Sequence, residues 1–176
     1  MIFVGGIHGV GKTRFCKEAA NLTGVPSYSA SLLISERKNV RFPKDKNIQG
    51  IDENQSFLIS AVKELKASSN QFLIDGHFCL LDESGHVVRI NKSTFLAIAP
   101  EGILILTETP TVIVERRLAR DGVKSNLSEI MEFQNEEISY AQELAMDMNI
   151  PIAILSGEDH LVEGCEFITR VMGGVR

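Results

Sequence analysis

From Gly6 to Thr13 the chain reads Gly-Ile-His-Gly-Val-Gly-Lys-Thr, three glycines in one turn followed by a lysine beside a hydroxyl. Glycines let a backbone bend tightly and aim its N–H groups inward, so Gly6, His8, Gly9, Val10 and Gly11 are expected to line a concavity for anions. The spacing is that of a P-loop, G-x-x-x-x-G-K-[ST], whose lysine reaches the β and γ phosphates and whose hydroxyl meets Mg²⁺. Lys12 and Thr13 hold those positions, and Arg14 follows them. These residues predict a site for ATP and Mg²⁺, with Lys12 active in the chemistry as well as in binding.

A second set of residues complements the first. The apolar run Phe72-Leu-Ile ends in Asp75, followed by Gly76 and His77. A carboxylate at the end of a parallel strand faces the phosphate cradle, where Asp75 could anchor Mg²⁺ with Thr13, through a water, or orient an acceptor hydroxyl. His77 is either structural or part of the acceptor site. Arg116 and Arg120 lie four apart, hence on one helix face with Arg117 beside them. Guanidinium groups there can neutralise charge on a transferring phosphoryl group, although pairing with Glu115 and Asp121 is the plainer reading. Between Glu36 and Lys46, Arg37, Lys38, Arg41, Lys44 and Lys46 oppose only Glu36 and Asp45, a basic segment in a chain of net charge −5.

The elements that must position these groups follow from apolar periodicity. Ile2–Gly5, Gln71–Asp75, Gly102–Leu106 and Pro151–Ser156 read as buried strands, with a weaker one over Val25–Ser29. Helical patterns cover Lys12–Leu22, Asn54–Ala67, Pro110–Asp121, Leu127–Met148 and a segment near Asp159–Met172. In the long pattern Asn126 can cap, Glu129 takes the capping-box position, and a stripe that includes Leu127, Ile130, Met131, Ile138 and Leu144 faces inward, with the glutamates mostly opposite. Cys79-Leu-Leu81 and His86–Ile90 flank turn residues and suggest a small hairpin. Strands alternating with helices predict a three-layer α/β P-loop fold, an open, mostly parallel sheet with helices on both faces.

At 176 residues and 44% hydrophobic content, one domain over 1–176 with a substantial core is expected. Cys16, Cys79 and Cys165 form no CxxC and read as buried thiols. The first apolar run opens at Ile2 without a basic region ahead of it, and no run approaches a membrane span, which predicts a cytoplasmic chain without membrane partners. Net acidity disfavours a nucleic-acid partner, since backbone phosphates demand many cations. A homo-oligomer is compatible with the composition.

The P-loop, the acid followed by Gly-His, the proline-started helix with paired arginines, and Gln134-Asn135…Tyr140-Ala141 together resemble the archaeal-type adenylate kinases and related small P-loop kinases. The resemblance spans most of the chain. It implies an acceptor-binding segment at about 30–68, where Arg37 and Arg41 would meet an acceptor phosphate, and a lid at about 116–126 carrying Arg116, Arg117 and Arg120. The chain differs from that family in having Gly85-His-Val-Val-Arg-Ile-Asn91 after the third strand and His8 in the cradle. The leading expectation is transfer of the γ-phosphate of Mg-ATP to a small acceptor such as a nucleoside monophosphate. The alternatives are a P-loop ATPase or switch that engages a protein or nucleic acid through the basic segment, and phosphorylation of polynucleotide 5′ ends.

Overall fold

A computed structural model of the chain describes residues 1–41, 51–69, 71–82, 84–122, 125–156 and 160–173. Five strands, β1 (Ile2–Gly5), β2 (Ser27–Ser29), β3 (Leu73–Asp75), β6 (Gly102–Leu106) and β7 (Ile152–Leu155), form one parallel sheet in the order β2-β3-β1-β6-β7. A two-stranded antiparallel hairpin, β4 (Cys79–Leu81) and β5 (Val87–Arg89), stands apart from it, where the sequence predicted a hairpin.

The strand residues are apolar on both faces because both faces are covered. Alternate side chains divide between two cores. Ile2, Val4, Leu73 and Leu104 meet Phe15, Ala19 and Phe167, which belong to α1 (Lys12–Thr23) and α7 (His160–Met172). Phe3, Ile74, Ile103 and Ile105 join the other core with residues of α3 (Ile51–Ser68), α4 (Lys92–Ile98) and α6 (Leu127–Met148). That second core contains a run of aromatic contacts, Phe3 to Phe78 at 4.9 Å, Phe78 to Phe95 at 5.0 Å and Phe95 to Tyr140 at 6.1 Å between centroids. Edge and offset contacts of this kind add to the energy of simple burial.

α5 (Pro110–Asp121) starts at Pro110 and stops at Gly122, whose φ of 67° terminates the helix, and α6 begins one short connection later. Asn126 caps α6, its Oδ1 accepting from the Ser128 amide at 3.0 Å. Two expectations about α6 change. Leu127 and Met131, assigned to the inward stripe, are 46% and 51% exposed, whereas Glu137, assigned with the other glutamates to the outer side, is fully buried. Two helices were not anticipated, α2 (Ala30–Arg41), which runs into the first part of the basic segment, and α4, which Asn91 caps by accepting from the Ser93 amide. Lys44 and Lys46 lie outside the described residues, as do Val123 and Lys124 of the expected lid and Asp159 before α7. Among the described residues no helix is long and apolar enough to cross a membrane.

Candidate active site

The cradle turns from the end of β1 into the start of α1, at the carboxyl ends of the strands. Gly6 has φ 135°, and a Cβ there would stand 2.5 Å from the Leu106 carbonyl oxygen. Gly9 has φ 90°, and its missing side chain leaves room for Ile113 and Arg117 of α5. Both positions thus require glycine for conformation and for close approach. Lys12 is 7% exposed, and its Nζ donates to the carbonyls of Gly6 at 2.6 Å and Ile7 at 3.3 Å. Burial lowers its pKa, while the fields of Asp75 and Glu137 work against that loss of charge.

Asp75 ends β3 beside this loop, where the sequence predicted it. Its Oδ2 accepts the Thr13 hydroxyl at 2.8 Å. Burial raises the Asp75 pKa, with Lys12 and the Thr13 hydrogen bond opposing the shift. The Thr13 hydroxyl and the Asp75 carboxylate are hard oxygen donors at hydrogen-bonding separation, a set that suits Mg²⁺, which takes one or two protein ligands and keeps several waters.

The α5 arginines face the cradle and divide their work. Arg116 Nη1 donates to the Val10 carbonyl at 3.1 Å and Nη2 contacts Glu108 at 3.2 Å. Arg117 donates through Nε to the His8 carbonyl at 2.9 Å. Arg116 and Arg120 border a cavity of about 540 Å³ with Lys12, Thr13 and Arg14. A neighbouring space of about 430 Å³ continues past Arg14 and Arg116 to Thr107 and His160.

On the opposite side of Lys12 and Thr13 lies a further cavity of about 340 Å³. Its polar lining includes Ser29 at the end of β2, Ser31 on α2, Asn54 and Gln55 on α3, and Asp75 and His77. His77 lines this cavity beside Asp75 and Gly76. Its imidazole lies against that of His8 at 4.2 Å between centroids, the rings tilted by 44°. Burial, followed by the charge of Lys12, pushes its pKa down to about 2, so the ring is neutral. Arg37 does not border this cavity; it forms an ion pair with Glu64. The side chain of Arg41 lies outside the described residues.

Glu137 is the site residue the sequence did not reveal. Its Oε1 accepts from the amides of Gly6 at 3.0 Å and Phe78 at 2.9 Å, and its Oε2 from that of Cys79 at 2.7 Å. One carboxylate on α6 thereby joins the first residue of the cradle to the loop that follows Asp75. Burial raises its pKa, and the three amides and Lys12 oppose the rise. Its signal was positional, because it falls in register with Ile130, Phe133, Tyr140 and Leu144 in the middle of the apolar stripe.

A family model described as an AAA domain matches residues 5–148. Among solved structures, the fold resembles a gluconokinase from Sinorhizobium meliloti 1021 with a TM-score of 0.57, at 18% identity over 97% of this chain and 91% of that one. A shikimate kinase from Bacteroides thetaiotaomicron superposes with a TM-score of 0.53, also at 18% identity, covering 98% of this chain and 97% of that one. A shikimate kinase from Acinetobacter baumannii in complex with shikimate gives 0.56 at 13% identity, covering 98% and 92%. No curated protein matches the sequence. The α/β P-loop fold is thereby established; the archaeal-type adenylate kinase subtype is not.

Proposed function

Because the chain belongs to the AAA domain family, and because its phosphate cradle opens onto a second cavity, we propose that it is an ATP-dependent phosphotransferase acting on a small acceptor. The observation that carries this reading is the sharing of His8, Lys12 and Thr13 between the two cavities, with Asp75 at the seam. A hydrolase or switch needs the cradle alone. A transferase needs a second substrate within bonding distance of the γ-phosphate, and the cavity beside Asp75 supplies that location.

The backbone amides of the cradle bind the phosphates, and Lys12, released from the carbonyls of Gly6 and Ile7, neutralises the β and γ oxygens. Mg²⁺ held by Thr13 and Asp75 would offset phosphate charge. Arg116 and Arg120 approach from α5 to meet charge that grows on the equatorial oxygens. Asp75, at the seam of the two cavities, takes the proton of the acceptor hydroxyl as its oxygen bonds to the γ-phosphorus and the bond to the β–γ bridging oxygen breaks. ADP and the phosphorylated acceptor are the products.

The nucleoside monophosphate implied by the resemblance would need Arg37 and Arg41 at its phosphate. Arg37 is engaged by Glu64, which leaves the acceptor class to be decided by the cavity itself. The test is transfer of radiolabelled γ-phosphate to a broad panel of hydroxyl compounds, with Asp75→Asn as control. Transfer that falls at least ~10²-fold in the variant while ATP affinity holds is the expected result. Label released only as inorganic phosphate, and faster with a macromolecule present, would replace this reading with the switch.

A further inference from the structure

The cavity beside Asp75 has a distinctive distribution of charge. Among the described residues that line it, Lys12 and Asp75 are the only Lys, Arg, Asp or Glu, and both sit at the end shared with the cradle. The rest of its polar lining is Ser29, Ser31, Asn54, Gln55 and His77, and Phe3, Ile34, Leu58 and Ile90 supply apolar surface between them. We infer that the acceptor is an uncharged hydroxyl compound, a sugar or nucleoside rather than a nucleotide or sugar acid, an inference that rests on the phosphotransferase reading above.

Three observations converge on it. First, a phosphate or carboxylate on the acceptor would call for Arg or Lys in a charge-assisted pair. No described lining residue beyond Lys12 provides one, and Lys12 serves the phosphates of ATP. Second, the carboxylates nearby are of the wrong sign for an anion. Asp75 lines the cavity, and the fully buried Glu137 lies 3.9 Å behind His77 Nδ1. Third, buried polar atoms on the wall stand without a partner among the described residues, His77 Nδ1 and two amide oxygens, and the amide oxygens call for donors. Asn54 Oδ1 and Gln55 Oε1 are buried without a partner among the described residues, and Gln55 is only 6% exposed. A hydroxyl or amide N–H can satisfy such oxygens, whereas a phosphate dianion or carboxylate offers no hydrogen to give. The apolar surface suits the face of a sugar or base ring. At about 340 Å³ the cavity takes one such ring system and little more.

The reaction at this site conserves charge and atoms. The acceptor's hydroxyl oxygen forms the new bond to the γ-phosphorus of ATP, the bond from that phosphorus to the β–γ bridging oxygen breaks, and the hydroxyl proton passes to Asp75. The products are a phosphate monoester and ADP.

The deciding experiment measures transfer from γ-labelled ATP, with Mg²⁺, to two arms of acceptors at matched concentration. The neutral arm holds nucleosides and aldohexoses, which separates the two sources of a sugar hydroxyl. The anionic arm holds nucleoside monophosphates, aldonates and shikimate. The expected result is a kcat/KM at least ~10-fold higher for the best neutral acceptor than for the best anionic one. Gln55→Leu should raise the KM for that acceptor by at least ~10-fold and leave the KM for ATP and the thermal shift with Mg-ATP unchanged, which also confirms that the variant folds. Transfer confined to the anionic arm would overturn the inference and leave the phosphotransferase standing. No transfer to either arm would remove the phosphotransferase itself. An acceptor KM unaffected by Gln55→Leu would overturn the part assigned to the amide.

Discussion

Three backbone amides, those of Gly6, Phe78 and Cys79, donate to the Glu137 carboxylate. Glu137→Ala would leave all three donors buried and unmatched, at a cost of about 3–5 kcal/mol, and urea melts should show the loss. Glu137→Gln keeps an oxygen for Gly6 and Phe78 but turns an NH₂ toward the Cys79 amide, so its stability should fall between those of the parent and the alanine variant. His77 gives the residue scale a pH signature. Its folded pKa is pushed down to about 2, while in the unfolded chain it returns to the ordinary 6.5. Between those values the unfolded chain takes up a proton that the folded one refuses, so stability falls as pH falls below 6.5. At pH 5 the loss is about 2 kcal/mol, or about 4–8 °C in Tm. Asp75 and Glu137 act with the opposite sign, since their raised pKa values favour the folded state at low pH. The comparison is therefore between the parent and His77→Gln, whose Tm should drop less from pH 7 to pH 5. An equal drop in both would remove His77 from the linkage.

Helix α7 packs on α1, most closely where Gly164 brings its backbone onto the Phe15 ring. A Cβ at Gly164 would stand 2.5 Å from Phe15 Cζ and 3.0 Å from Leu155 Cδ1. Gly164→Ala must therefore force the two helices apart or push Phe15 off its rotamer, and a loss of about 1–3 kcal/mol is expected from thermal melts. A Tm unchanged or raised would mean that helix propensity outweighs the clash. This contact was invisible in the sequence, since a glycine inside a helical pattern looks like a simple weakness. Other elements were legible for a physical reason. β1 and β6 are apolar on both faces, and α5 and α6 carry their own stop and start residues in Gly122 and Asn126. α2 was harder to see, because its basic residues suggested a binding segment before they suggested a helix. α4 is only seven residues long, too short for a periodic pattern to emerge. Within the site, the cradle and Asp75 were readable from local spacing. Asn54, Gln55 and Glu137 were not, because their roles arise only when α3 and α6 are brought against the loop after β3.

At the scale of the whole molecule, a ligand that binds only the folded chain stabilises it by mass action. Mg-ATP at 100 times its Kd should add about 2.7 kcal/mol, roughly 5–11 °C in Tm for a chain of this size. Lys12→Ala should abolish most of that shift, and a full shift in the variant would remove the cradle from the argument. The sheet order also sets a timetable. β1 occupies the centre of the sheet, yet its two neighbours are β3, paired from Ile2 to Leu73, and β6, paired from Ile2 to Gly102. A ribosome adding about 5–20 residues per second releases the central strand first and must synthesise a further hundred residues before its second neighbour exists, a delay of roughly 5–20 s. During that interval Ile2-Phe-Val4 has no native lateral partner on one side, so the nascent chain carries a fully apolar strand unprotected there. Translation stalled between β3 and β6 should accordingly yield chains that recruit chaperones, whereas release of β6 should allow the sheet to close around the strand that was made first.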